Sequence, residues 1–461
     1  MLICMATNSL FANNVTISDV ALTNDSTITF KVSWDNSWRT NTAPNNHDAV
    51  WLFVKKRDCA SLQWSHVNLK PTAASHNAVS PLEVYMDGRD GNVAGKGVFV
   101  RRAAAGSGNI APTMVTLSFA GIGTGEYDFK VFGIEMVQIP QAGFQLGDGV
   151  SAFTFRQGSA ASAAPTNPFT VVSEAAITYG SGATNIHAIT NSSYFPSSLP
   201  AAFPKGFKEI YCMKYEISQG QYVDFVNTLL SDQAAARQIV SAASRLNISG
   251  TWPVLVTTMP HRAMINLSWA DLQAYLDWSA LRPMTELEYE KICRGPVNAV
   301  QNEYPWGTSI ITQAATLVND GTATESVSDA ITAGGGIANF GTAGVPGVMR
   351  VGFAAKPGTN RLTAGATYYG VMDMAGNAWE MVVHTTSTAG VNFTGNLGDG
   401  ELALTPSPGV HNVAGWPANT GKGLRGGAFD TVNTTLRVSD RSSINVTSAD
   451  RTINVGGRGV R

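Results

Sequence analysis

Between residues 424 and 461 the chain reads LRGGAFDTVNTTLRVSDRSSINVTSADRTINVGGRGVR, in which two textures are interleaved. The pieces LRGG, LRVSDR, ADR and GGRGVR are rich in Arg and Gly. Glycine permits turns closed to other residues, and a guanidinium braces such turns with several donors at once. The stretches between them, 428–434, 442–447 and 452–456, hold small, polar and β-branched residues with no periodicity of their own. A rigid frame around an unpatterned filling describes a loop-built domain that displays a surface, not a regular core.

The 461 residues suffice for two or three domains. Only 14% of residues are charged, the net charge is -2, and no run of Lys or Arg stands out, so no nucleic-acid partner is expected. Cys4, Cys59, Cys212 and Cys293 lie far apart without a CxxC pair, which predicts buried free thiols rather than a zinc site or a disulfide framework. No apolar run approaches the ~20 residues of a membrane span. Residues 1–12 read as a signal remnant or a disordered start, because the apolar run 2–6 is short and has no preceding basic residue.

Residues 13–134 carry short alternating or β-branched runs at 27–34, 49–55, 97–101 and 114–119, separated by turn residues. This predicts an all-β, sandwich-like domain. Trp34, Trp38, Trp51 and Trp64 are expected in its core rather than on a sugar-stacking platform. The Gly/Ser/Ala-rich stretch 157–166 predicts an exposed loop. Further on, Ser218 with Gln221, Ser268 with Asp271 and Thr285 with Glu288 each place a capping box before an amphipathic run, and the third run stops at Gly295. Three helices are therefore expected, followed by turns and loops.

The segment YCMKYEISQGQYVDFVN at 211–227 resembles the entry motif of the formylglycine-generating enzyme family, also called the sulfatase-modifying factor domain. In the family's order follow NLSWADLQAYLDW at 266–278, LRPMTELEYEKICRG at 281–295, YPWG at 304–307, YGVMDMAGNAWEM at 369–381 and LRGG at 424–427. The stretch EMVQIPQAGFQLGD at 135–148 is similar to its opening strand and turn, and VSWDNSWR at 32–39 resembles the β-rich extension of bacterial surface members. The resemblance implies an α+β, C-type-lectin-like fold over residues 135–461, preceded by the all-β region.

Chemistry does not follow from membership, since function lives in the site. Family members that oxidise a substrate cysteine hold copper on a cysteine pair just after the GG of the last motif. Here GGAFDTVNTTLRVSDR contains no cysteine, and a soft Cu(I) ion needs thiolates. The iron-dependent branch needs clustered histidines, whereas His47, His66, His76, His187, His261, His384 and His411 are scattered. Neither copper nor iron is expected, nor catalysis by either route. The resemblance does imply a structural Ca²⁺ at Asp373, Gly376, Ala378 and Glu380, from two carboxylates and two carbonyls of one turn. Asn319 and Asp320 are candidates for a second ion.

The variable region 424–461 lacks Met, Trp, Gln, Lys and Glu, and every residue in it is available to codons ending in a pyrimidine. Adenine-directed mutagenesis of AAY codons reaches Ala, Asp, Phe, Gly, Ile, Asn, Ser, Thr and Val but never those five. The layout resembles the variable proteins of diversity-generating retroelements, and that resemblance implies a ligand face made by Ala428, Phe429, Asp430, Thr431, Asn433, Thr434, Ser442, Ser443, Asn445, Thr447, Thr452 and Asn454. The expected partner is a protein or glycan on another cell or surface, met by an extracellular, cell-surface or phage-associated protein. The alternative is an enzyme of the family with an unrecognised site.

Overall fold

The computed structural model describes residues 14–90, 95–123, 125–158, 167–180, 182–188, 196–404 and 406–461. The expectations for residues 1–12, for Cys4 and for most of the 157–166 loop lie outside them. The architecture is mixed α+β, with a β-rich region first and a loop-dominated region with few helices after it.

The first region stacks two sheets. One has the order β1 (Thr16–Asn24), β2 (Thr27–Arg39), β8 (Gly106–Ser118), β5 (Asn77–Ala78). The other places β9 (Tyr127–Ile139), β3 (Asp48–Asp58), β7 (Val98–Arg102) and β6 (Leu82–Tyr85) side by side, with β4 (Trp64–His66) also on β3. In β2, alternate residues Ile28, Phe30, Val32 and Trp34 point into the space between the sheets, the period-2 pattern of a half-buried strand. β3 differs, because Ala49, Val50, Trp51, Leu52, Phe53 and Val54 are all buried. Val50, Leu52 and Val54 join the inter-sheet core, while Ala49, Trp51 and Phe53 enter a second core shared with the C-terminal region. A continuous apolar run is the mark of a strand covered on both faces.

The strand Ile210–Met213 from the C-terminal region adds to the same sheet, pairing antiparallel with β9. β9 itself runs unbroken through residues 134 and 135, where the change of sequence texture suggests a boundary. The two regions thus share a sheet and a core.

All three capping boxes form. Ser218 opens α1 (Gln219–Asn227), Ser268 opens α3 (Trp269–Trp278) and Thr285 opens α4 (Glu286–Arg294), each with reciprocal bonds to the residue three places on. Gly295 ends α4 at φ 71, a conformation that favours glycine. A short helix, α2 (Ser231–Arg237), has an apolar N-cap residue, Leu230, and no periodic run to announce it. The strands Lys422–Arg425, Trp379–Val383 and Val455–Gly456 form a small sheet that carries the stretch 424–461.

The tryptophans build structure. Trp34 donates to Asp48 at 2.9 Å and Trp51 to the Ser279 carbonyl at 2.9 Å, both fully buried. Half-buried Trp38 lies under the Lys214 ammonium at 4.7 Å, and Trp64 under the Arg57 guanidinium at 5.5 Å. Cys212 and Cys293 are buried free thiols, and Cys59 is half-buried.

Candidate functional site: a braced display face and a buried carboxylate turn

Five frame arginines, Arg425, Arg441, Arg451, Arg458 and Arg461, each reach a specific acidic anchor. Arg425 donates to Glu290 at 2.6 Å and to the Val438 carbonyl at 2.8 Å. Arg441 binds Glu286 through two bonds, 2.6 and 3.0 Å, and stacks on Phe155 at 3.8 Å. Arg451 grips Asp271 with bonds of 2.8 and 3.0 Å. Arg458 donates to Glu380 at 2.8 Å and to the carbonyls of Met213 and Lys214. Arg461 contacts Asp87 and Asp90 of the β-rich region and lies over Trp51 at 4.0 Å. Planar two-bond pairing of this kind fixes direction as well as distance. Burial alone would push the Glu286 carboxyl up, but Arg441, Arg425 and the Thr385 N–H overcome it and bring it down to about 2.

The filling separates from this frame. Asp430, Asn433, Thr434, Ser442, Asn445, Thr447 and Thr452 are exposed, and Thr431, Ser443 and Asn454 are half-buried. Ala428 and Phe429 are buried and pack into the core, so their side chains are not displayed. Asn454 bonds both oxygens of Asp430 at 2.9 and 3.1 Å, which joins the first and third filling stretches. The middle stretch sits by the other end of the strand Trp379–Val383, where the Ser443 carbonyl accepts from Leu424 and Asn445 meets Thr386. Sequence reasoning omitted Val432 and Val446 from the face, yet they are 65% and 38% exposed within the filling.

The turn 373–380 is buried and acidic. Asp373, at φ 58, accepts from the Gly352 N–H. Glu380 gives one oxygen to Arg458, while its Oε2 is buried without a hydrogen-bond partner among the described residues. Glu216 closes the turn by accepting from the Asn377 side chain at 2.6 Å and the Ala378 N–H at 3.0 Å. Gly376 needs its missing Cβ, which would stand 2.3 Å from the Asn339 carbonyl oxygen. Burial raises Asp373 and Glu380, and raises Glu216 well above the ordinary carboxyl range, with Asp373 adding to the last. An unpartnered carboxylate oxygen among buried acids is compatible with a hard divalent cation. No group of three or more His, Cys, Asp or Glu side chains arranged to hold a metal occurs among the described residues. At the other candidate, Asp320 is taken by Arg245 at 2.9 Å and by Arg262 at 2.5 Å.

Cys212 and Cys293 are buried, and the Ser387–His384 pair is engaged in structural bonds. Burial pushes the Cys212 thiol up to about 12 and Cys293 well above its ordinary value, so neither offers a thiolate. Ser387 Oγ lies 3.3 Å from His384 Nε2, but both groups face the Thr420 carbonyl, at 2.7 and 2.9 Å. A carbonyl only accepts, so Nε2 carries a proton and cannot take one from Ser387.

Fold and site together define an α+β domain whose loops are braced by buried arginine–carboxylate pairs. The sulfatase-modifying factor enzyme 1-like domain family matches residues 163–461, and the chain belongs to that family. It is 30% identical to the formylglycine-generating enzyme of Thermomonospora curvata over 125 residues, a match spanning 27% of this chain and 34% of that enzyme. Two solved structures are similar in outline. Treponema denticola variable protein 1 has 13% identity and a TM-score of 0.31, covering 71% of this chain and 95% of its own. PvdO from Pseudomonas aeruginosa has 17% identity and a TM-score of 0.31, covering 71% and 94%. No helix among the described residues is long and apolar enough to cross a membrane.

Proposed function

We propose that the chain is a non-catalytic recognition protein that presents a diversified C-terminal surface to a protein or glycan ligand, in an extracellular, cell-surface or phage-associated setting. The observation that carries this reading is the division of residues 424–461. Frame residues Arg425, Leu436, Val438, Arg441 and Arg458 are fully buried, while half of the filling between them is exposed. A surface that tolerates sequence change needs such a division, because exposed substitutions away from special contacts alter stability by only about 0.5 kcal/mol. Exchanging Asn433, Thr434 and Thr447 together is expected to change which ligands a surface-display panel captures while the melting temperature hardly moves. A loss of several degrees with unchanged capture would defeat the proposal.

Family membership and the similarity to a formylglycine-generating enzyme favour a second reading, catalysis at a site of another design. Copper-dependent oxidation of a cysteine-containing peptide by the purified protein would establish it.

The turn that holds Asp373, Gly376, Ala378 and Glu380 is proposed to take a structural Ca²⁺. The support is the unpartnered Glu380 oxygen and the buried acids around it. Bound calcium neutralises like charge and orders the loop, so chelation is expected to lower the melting temperature by linkage, and Asp373→Ala is expected to abolish that response. A wild-type melting curve indifferent to chelator refutes the ion.

A further inference from the structure

The β-rich region and the segment 398–412 meet across one glycine. Lys55 of β3 and His66 of β4 are direct partners in their ladder, so both side chains stand on the same face of the sheet. The Lys55 ammonium donates to the Gly400 carbonyl, and the Gly400 backbone rests on the His66 ring. A Cβ at position 400 would stand 2.2 Å from His66 Nδ1, a contact too close for any side chain or for a water between them. Two further ties hold the segment. Glu401 accepts from the His66 N–H, and Asp277 of α3 accepts from the N–H groups of Asp399 and Asn412 at 2.9 and 3.0 Å.

The proton positions at this seam follow from the partners. His66 Nε2 lies 2.7 Å from the Lys96 carbonyl, which only accepts, so Nε2 carries a proton. Nδ1 is buried without a hydrogen-bond partner among the described residues. The ring that fits is therefore neutral, with its lone pair turned to Gly400. A proton on Nδ1 would find no acceptor there and would add a second cation beside Lys55, which is 2% exposed and lies over the rings of Phe53 and Trp278 at 5.9 and 5.1 Å. A buried charge with an unmade hydrogen bond is costly, and separating the two surfaces relieves it.

We propose that His66 is an acid-sensitive latch between the β-rich region and the segment 398–412, closed while its ring is neutral and opened by one proton on Nδ1. The charges that act on the ring are cations, Lys55 of β3, Lys96 ahead of β7 and Arg461. Burial and then Lys55 hold it well below the ordinary imidazole value, opposed by the Lys96 carbonyl. The acids around the seam are Asp277, Asp399 and Glu401; they act on Lys55, and each accepts a backbone N–H. The unfolded ring takes its proton near 6.5 and the latched ring well below, so the latch is complete above 6.5 and weakens as pH falls through that value. Its release reaches beyond the seam. Gln233 of α2 donates to the Leu402 and Ala403 carbonyls of the segment, and Arg451 donates to the Ala236 and Gln238 carbonyls at the end of the same helix. Acid thus loosens the support beneath the third filling stretch. The latch itself does not depend on the recognition reading.

The test is hydrogen exchange on the full chain at about pH 7.5 and about pH 5.5, compared as protection factors so that the intrinsic pH dependence of exchange cancels. Protection of the Asp399, Gly400 and Asn412 amides is expected to fall about tenfold at the lower pH, the factor that one excluded proton supplies one unit below 6.5, while the β3–β9 ladder keeps its protection. His66→Gln keeps a donor for the Lys96 carbonyl and takes up no proton in this range, so the fall is expected to vanish. Lys55→Met replaces a buried ammonium by an apolar side chain, and ¹⁵N-histidine NMR is expected to show the His66 midpoint moved upward. Unchanged protection of the segment, an equal loss across β3 and β9, or a persistent fall in His66→Gln overturns the proposal. So does a neutral wild-type ring with its proton on Nδ1, or an unmoved midpoint in Lys55→Met. No ligand enters these readouts, so their failure leaves the display reading standing.

Discussion

Arg441→Ala is expected to destabilise the protein by about 3–5 kcal/mol, the cost of stranding a buried carboxylate without its partner. The guanidinium is fully buried, makes two bonds to Glu286 and covers the Phe155 ring, so the substitution removes charge pairing and packing together. Thr434→Ala, seven residues earlier on the exposed filling, is expected to stay within about 0.5 kcal/mol. Urea melts of the two variants against wild type measure the contrast, and equal effects would erase the distinction between frame and filling. The same pair sets an acid limit. The Glu286 carboxyl falls from an ordinary 4.5 to about 2 in the folded protein. A depressed folded value means that its contribution is complete above the unfolded value and fades as pH drops from about 4.5 toward 2. Arg441→Ala removes the principal opponent of burial, so the Glu286 part of this acid response shrinks in the variant.

How much of this was legible in the sequence differs by element. The capping boxes at Ser218, Ser268 and Thr285 were readable because their chemistry is local, a side chain and a backbone N–H three residues apart. The strands were readable wherever one face alternates, as in β2. The continuous run in β3 carried a further message, burial on both faces, which a sandwich-like reading of residues 13–134 by itself does not use. Arginine in the frame was visible as a brace, but the sequence could not tell that Arg441 finds Glu286 or that Arg461 finds Asp87. Those partners are 155 and 374 residues away, and only the fold brings them together. Ala428 and Phe429 show the same limit, since they share the composition of the filling while the turn after Gly427 drives them into the core. The Lys55–Gly400 contact had no signature, because its partners are 345 residues apart.

Residues 140–461 expressed alone are expected not to fold cooperatively, although the family match begins only at 163. Cutting there removes β9 and leaves the strand Ile210–Met213 without its antiparallel partner, exposing backbone donors and acceptors that the sheet satisfies. It also strips Trp51, Phe53, Phe99 and Phe132 from a core that reaches Tyr211, Phe225 and Trp278. The acids that hold Arg461, Asp87 and Asp90, are lost as well, and the guanidinium loses the Trp51 ring beneath it. Because that arginine belongs to the stretch 424–461, the β-rich region braces this stretch and is not a detachable mount. In the full chain, Trp51→Ala tests this without truncation. Removing a fully buried tryptophan costs about 3–5 kcal/mol, and if the regions form one unit, the loss appears in a single transition shared by far-UV circular dichroism and tryptophan fluorescence. Two separate transitions, with the later one at its wild-type midpoint, would show instead that the C-terminal domain stands by itself and that Arg461 contributes little to its face.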